Sequence, residues 1–179
     1  MSMDYDIVII GGGAAGMMAG VLAAGSSAKV ALIEKNGQCG RKLLLTGRGR
    51  CNVTNVRPWE EFREHVHPDP SFFRPAFMSF PNTAVVDELR VLGLETKTER
   101  GMRVFPVSDR SADVRNALFS RISGAPNIDV FLNTQAVAVL KAPAGHFVVE
   151  ALHSEGKMRL SSWAVRSVII ATGGLSYPA

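Results

Sequence analysis

The sequence predicts an α/β protein built around a parallel sheet. Three observations carry that expectation. A short apolar strand, Ile7-Val8-Ile9-Ile10, runs into the glycine-rich turn Gly11-Gly12-Gly13-Ala14-Ala15-Gly16. A small-residue helix pattern follows, and a second apolar run, Val30-Ala31-Leu32-Ile33, closes on Glu34. A third run, Ser167-Val168-Ile169-Ile170-Ala171, ends in Thr172-Gly173-Gly174. Strand, glycine turn, helix, strand and acid, in that order, form the fingerprint of a Rossmann-like dinucleotide-binding unit.

Each part of the fingerprint has a physical role. Gly11 allows the tight turn off the strand, Gly13 lets a pyrophosphate approach the backbone, and Gly16 lets the helix pack close to the sheet. The N–H groups at the helix start, with the positive end of its dipole, face the phosphates. Glu34 lies eighteen residues beyond Gly16, where an acid accepts hydrogen bonds from an adenosine ribose. A carboxylate there repels a 2′-phosphate, which speaks against NADP in this turn. The alternative reading is a glycine-rich strand–helix turn without a ligand.

Helix one is expected from about Ala14 to Ala24, ended by Gly25-Ser26-Ser27, and strand two from about Lys29 to Glu34. A long polar stretch, Asn36 to Arg57, follows; a loop of that length inside a compact domain is usually functional. Residues 58–108 read as a helical excursion from the parallel sheet. Pro58 starts a short helix, and Phe72, Phe73, Phe77 and Phe80 fall at helical spacing and are expected in the core. Asn82 or Thr83 caps a helix carrying Val85, Val86, Leu89 and Leu92, which stops at Gly93. Short strands are expected near Glu95–Glu99 and Met102–Phe105.

Ser108 or Ser111 then starts a helix with the stripe Val114, Ala117, Leu118 and Ile122. Ile128–Leu132 reads as a buried strand. Ala136–Leu140, Phe147–Leu152 and Met158–Trp163 alternate, with turn chemistry at Pro143-Ala144-Gly145 and Ser154-Glu155-Gly156, and predict a three-stranded antiparallel meander. Right-handed crossovers set strand 167–171 beside strand 6–10, so that Thr172-Gly173-Gly174 sits next to the glycine turn. The whole chain, 1–179, reads as one domain with 58–108 as an excursion within it.

Composition narrows the class. The chain has 179 residues, 46% of them hydrophobic and 20% charged, which is ordinary for a soluble globular protein. Residues 7–24 are mostly apolar, but Asp4 and Asp6 precede them and glycines interrupt them, so they read as the βαβ unit and not as a membrane span or signal peptide. A cytoplasmic protein is expected. The net charge is +4, with Arg41, Lys42, Arg48 and Arg50 crowding one loop. An anionic ligand accounts for them, and a diphosphate suffices; no aromatic residues interleave as nucleic-acid binding would want.

The residues Gly40-Arg41-Lys42-Leu43-Leu44-Leu45-Thr46-Gly47-Arg48-Gly49-Arg50-Cys51-Asn52-Val53-Thr54-Asn55 resemble the signature of a group of bacterial NAD(P)/FAD-dependent oxidoreductases, some of them aminoacetone oxidases. Thr98–Ser108 and Ala171-Thr172-Gly173-Gly174-Leu175-Ser176-Tyr177-Pro178 match the same family, in order and far apart. The resemblance implies FAD as the bound cofactor and the N-terminal portion of a two-dinucleotide-binding-fold flavoprotein. It implies that Gly11, Gly13, Ala15 and Gly16 line the pyrophosphate and that Glu34 holds the AMP ribose. Lys35, Arg41 and Lys42 would lie near the phosphates or adenine. Thr46, Gly47, Gly49, Arg50, Cys51 and Asn52 would approach the flavin, and Val137 would offer its backbone to the adenine. Gly47 and Gly49 let backbone lie flat against a planar ring, and a positive Arg50 there would stabilise reduced, anionic flavin.

The family continues past the point where this chain stops, with an inserted domain and a closing strand and helix. A fragment is therefore expected, with exposed sheet and core surface that invites self-association. The reading is the FAD-binding portion of an oxidoreductase in which FAD accepts a hydride from a reduced nicotinamide, NAD(P)H, or a small amine-like substrate. The alternatives are an NAD-binding dehydrogenase domain and a non-enzymatic nucleotide- or RNA-binding module. The catalytic residues are not assigned. Cys39 and Cys51 lack C-x-x-C spacing, so a packing role for Cys51 is expected over a redox disulfide. No metal cluster is expected, His65 and His67 reading as a surface pair, and Ser108, Asp109 and Ser111 read as helix caps.

Overall fold

A computed structural model describes residues 2–154 and 158–174. The expected turn at Glu155-Gly156 and the Leu175–Pro178 part of the third motif lie outside the described residues. In chain order the first elements are β1 (Tyr5–Ile10), α1 (Ala14–Ala23), β2 (Val30–Ile33), α2 (Arg41–Leu45), β3 (Thr54–Asn55), α3 (Trp59–Phe62), α4 (Pro70–Ser79) and α5 (Asn82–Val91). They are followed by β4 (Thr96–Glu99), β5 (Arg103–Pro106), α6 (Ser111–Ser123), β6 (Ile128–Phe131), β7 (Thr134–Lys141), β8 (Phe147–His153) and β9 (Arg159–Ile170). The chain forms two compact units, one of residues 1–43 and 118–179, the other of residues 44–117.

The first unit holds a six-stranded sheet in the order β6-β2-β1-β9-β8-β7. The pairs among β6, β2, β1 and β9 are parallel, and β8 and β7 add on antiparallel. As expected, the strand before Thr172 lies parallel to β1, with Ile7 opposite Ser167 and Ile10 opposite Ile170. One expectation is corrected. Segments 158–163 and 167–171 are not two strands, because β9 is a single strand of twelve residues. Nothing between them has turn chemistry, and Val165, fully buried, pairs with Phe147 on one side and Tyr5 on the other. The meander is therefore continuous with the parallel strands in one mixed sheet. The strand at 128–131 is an edge strand, with Ile128 buried and Asp129 exposed.

β2 is buried along its whole length because β1 and β6 flank it and both faces are covered. Val8, Ile9, Met17, Val30, Ala31 and Leu32 are fully buried. Gly20 of α1 faces Ile122, where a Cβ would stand 3.1 Å from the isoleucine side chain. At the other end of the sheet, Phe131 and Trp163 (ring centroids 4.9 Å apart) and Tyr5 and Trp163 (5.8 Å) close the core. A polar relay fixes the strand register. The Thr134 hydroxyl donates to Leu132 O (2.8 Å), so it accepts from His153 Nδ1 (3.0 Å), and Nε2 is left to accept from the Ser161 hydroxyl (2.9 Å).

The second unit has a three-stranded antiparallel sheet, β3-β5-β4. It contains the stretch 58–108 together with the turn at 46–52. Its aromatic core centres on Phe77, 5.0 Å from both Trp59 and Phe62 between ring centroids. Of the four phenylalanines expected in the core only Phe77 is buried, and Phe72 is 89% exposed. Helical spacing placed them on one helix, but α4 is a peripheral helix that buries a single side chain. The expected caps also differ. Pro81 occupies the position before α5, and the Asn82 amide instead donates to Asn55 O (2.5 Å) and Arg57 O (2.7 Å). α6 starts at Ser111, as expected, and the Ser111 hydroxyl donates to Leu44 O (2.9 Å), while Asp109 is engaged by Lys97 and Arg50.

Ile9→Ala, at a fully buried position, is expected to cost about 2–5 kcal/mol in urea unfolding, whereas Leu22→Ala on the half-exposed side of α1 should cost less than about 1 kcal/mol.

Candidate functional site

The turn between β1 and α1 is crowded on three sides and open on one. Gly11 has φ +109°, and a Cβ there would stand 2.5 Å from Ala171 O, because the end of β9 passes directly beside it. A Cβ on Gly12 would meet Cys39 Sγ at 2.5 Å, and one on Gly16 would meet Gly11 O at 1.8 Å. Gly13 differs from these, with φ −75° and, among the described residues, nothing within 4 Å of the place a Cβ would fill. The fold needs glycine at 11, 12 and 16 but not at 13. Gly13 is also the residue that precedes α1, which has no side-chain cap and no acidic residue in its first turn. The first N–H groups of a helix lack intrahelical acceptors, so this uncapped start offers donors and positive potential to an anion.

Glu34 is buried (8% exposed) at the end of β2. Its Oε2 accepts from Gly12 N (2.8 Å), and its Oε1 accepts from Asn36 N (2.9 Å) and Asn36 Nδ2 (2.6 Å). A carboxylate has roughly four acceptor directions, so three are used within the protein and one is left for a ligand hydroxyl. Asn36 Oδ1 in turn accepts from Arg41 Nη1 (2.5 Å). Lys35 is exposed, and the exposed Lys42 reaches Gly174 O (3.1 Å). The backbone continues the connection, since Thr134 N donates to Glu34 O (2.9 Å) and ties the start of β7 to the acid. Along β7 the register steps from Ala136 opposite Ala151 to Ala138 opposite Glu150. Val137 is the extra residue of this bulge, half exposed on an edge strand, with its backbone released from the ladder.

The first unit thus gathers Gly11, Gly13, Ala15, Gly16, Glu34, Arg41, Lys42, Thr172, Gly173 and Gly174 around one turn, with Lys35 and Val137 on the segments leading from it. Gly12, Asn36 and Cys39 complete the arrangement and were not anticipated. An amide two residues past the acid was the one local signal for Asn36.

The other six expected residues form a single turn in the second unit. Gly47, Arg48, Gly49 and Cys51 all have left-handed φ, between 56° and 85°. Cys51 N donates to Thr46 O (3.1 Å), and a Cβ on Gly47 would stand 2.8 Å from Asn52 N and 3.3 Å from the Phe105 ring. Thr46, Gly47, Gly49 and Asn52 are exposed, and Cys51 is buried. Burial pushes the Cys51 thiol up, against a smaller opposing effect of its hydrogen bond with Thr46. Cys39 is buried as well, and both cysteines are thiols. The Arg50 guanidinium pairs with Glu99 and with Asp109 (2.6 Å). Among the described residues no cluster of His, Cys, Asp and Glu could hold a metal ion, and no helix is long and apolar enough to cross a membrane.

Hydrogen bonding from Arg50 holds the Glu99 carboxyl below the ordinary carboxylate range, and bonds from Lys97 and then Arg50 do the same for Asp109. A lowered folded pKa means that the contribution is present above the unfolded pKa and is lost as pH falls through the folded one. The melting temperature should therefore lose this contribution on acidification below about pH 4, and Arg50→Gln should reduce the slope there. Separately, Gly13→Ala should leave stability within about 0.5 kcal/mol of the parent, whereas Gly16→Ala should destabilise by more than about 2 kcal/mol; thermal melting checks both.

Comparison with known proteins extends this picture. The model described as HI0933-like protein Rossmann domain matches residues 5–179. The chain is 34% identical over 170 residues to the 3-dehydro-bile acid delta(4,6)-reductase of Clostridium scindens, covering 94% of this chain and 39% of that protein. It is 28% identical over 174 residues to the ribosomal RNA dihydrouridine synthase of Escherichia coli, covering 97% of this chain and 40% of that protein. FrdA of the E. coli quinol fumarate reductase shares the fold, with a TM-score of 0.66 at 19% identity over 95% of this chain and 32% of that one. The chain spans about two fifths of the length of the curated relatives it matches. With a match that begins at β1 and runs through all the strands, the chain belongs to the HI0933-like Rossmann domain family.

Proposed function

We propose that this chain is the FAD-binding portion of a flavin-dependent oxidoreductase. The observation that carries the reading is the empty approach to Gly13 at the uncapped start of α1, in a turn whose other glycines are demanded by their neighbours. That combination suits a diphosphate: backbone close enough to be touched, N–H donors at the helix start, and no acidic side chain in the first turn of α1. The N–H groups at Gly13–Ala15 would hold the pyrophosphate. The remaining acceptor direction of Glu34 would take an adenosine ribose hydroxyl, and the released backbone of Val137 would meet the adenine. Lys42, beside Gly174, would balance phosphate charge. The likeness of Gly40–Asn55 to flavoprotein signatures favours FAD over NAD. When bound, FAD supplies two-electron hydride chemistry, while the protein orients it and tunes its electronics.

Two relatives are named for saturating a carbon–carbon double bond, one in a bile acid and one in the uridine of an RNA. We infer that the full-length protein reduces a carbon–carbon double bond conjugated to a carbonyl, with NAD(P)H as hydride donor. The two named substrates differ greatly in size, so the shared chemistry supports the proposal and the substrate does not carry over. Two buried thiols suit a reducing cytoplasm, where we place the protein.

Titration of the flavin-free protein with FAD, followed by flavin absorbance, should show saturable binding that excess NAD does not displace. Gly13→Ala should fold normally and bind FAD at least about tenfold more weakly, a loss of about 1.4 kcal/mol. Displacement by NAD at comparable concentration would favour a nicotinamide-binding domain, and oxidation of an amine instead of NAD(P)H would overturn the proposed donor.

A further inference from the structure

Arg50 is the most heavily engaged side chain in the second unit. Its Nε donates to Asp109 Oδ1 (2.9 Å) and its Nη2 donates to the same oxygen (2.6 Å). Nη2 also donates to Glu99 Oε1, and Nη1 lies 3.3 Å from Glu99 Oε2. The guanidinium lies over the Phe105 ring, 4.3 Å from its centroid. Lys97 closes the group, with Nζ 2.6 Å from Asp109 Oδ2 and 3.7 Å from Glu99 Oε1. Two cations and two carboxylates, drawn from the turn, from β4 and from the residue at position 109, make a group without net charge.

The turn that Arg50 belongs to needs such support. Arg48 and Cys51 have φ of 58° and 62°, a conformation costly for residues with a Cβ, and Asp109 has φ 55°. Gly47 packs against the same Phe105 ring that lies under Arg50. The ring and the ion pairs therefore hold the turn at two points, Gly47 and Arg50. A planar guanidinium supplies the fork this requires, and a lysine does not. Arg48, by contrast, is exposed between Gly47 and Gly49, with no side-chain partner among the described residues.

We propose that Arg50 is a positioning residue. The neutral group Arg50–Glu99–Asp109–Lys97 on Phe105 clamps the turn Thr46–Asn52 in one shape, and the positive charge that the turn presents is that of Arg48. The proposal rests on the FAD reading for what the turn meets, but the clamp itself does not.

The test uses three variants of the protein, Arg50→Gln, Glu99→Gln and Arg50→Lys. In the flavin-free protein, hydrogen exchange of the amides at 46–52 should speed up at least tenfold in all three, while exchange in the six-stranded sheet stays unchanged. In the FAD-loaded protein, Arg50→Gln and Glu99→Gln should move the flavin midpoint potential in the same direction, with Arg50→Lys behaving like Arg50→Gln. A cation that acted on the flavin directly would behave otherwise. Removing Glu99 would then shift the potential opposite to removing Arg50, and Arg50→Lys would resemble the parent. Either of those results, or unchanged exchange at 46–52, overturns the proposal. If the parent protein takes up no FAD, the FAD reading fails, and the exchange measurement still decides the clamp.

Discussion

The buried carboxylate of Glu34 joins three pieces of chain, the end of β2, the glycine turn and the segment leading to Arg41. One oxygen holds the N–H of Gly12 and the other holds the backbone and side chain of Asn36. The end of β2 is thereby fastened both to the glycine turn and to the segment leading to Arg41. A charge this buried persists only when hydrogen-bonded, so the carboxylate requires the turn as much as the turn requires it. Cys39 fills the remaining space against Gly12, and Gly40 N bonds to Gly12 O (2.8 Å). The open approach to Gly13 exists because everything around it is pinned.

β9 imposes the second constraint. Val165 is shared between a parallel neighbour and an antiparallel one, so the strand's position is set from both sides before it reaches Ala171. There it comes so close to Gly11 that no side chain fits. The sheet's mixed topology therefore serves the turn, since a strand held on both edges delivers Thr172-Gly173-Gly174 to the same place each time the chain folds.

Much of this was legible in the residues. The βαβ unit shows itself by period and punctuation, and the neighbour of β1 follows from handedness. The elements missed share one cause. Local pattern does not show whether two alternating segments are one strand, and Met158–Trp163 and Ser167–Ala171 needed the partners of Val165 to be joined. Helical spacing placed Phe72 on a face, but whether anything lies against that face depends on elements distant in the chain. Arg50 is the clearest case. Its carboxylate partners lie 49 and 59 positions away, so a loop rich in arginine looked like an open positive charge. Asn36 was missed because its role depends on which way Glu34 turns.

The contrast among the four glycines of the first turn has a consequence for how such a sequence changes over time. Gly11, Gly12 and Gly16 are held in place by folding, and a lineage that kept the fold while abandoning its ligand would still keep them. Among the described residues, nothing stands where a Cβ on Gly13 would go. Under selection for a folded chain alone it would drift freely to alanine or serine, so position 13 is where a loss of cofactor dependence would first be written.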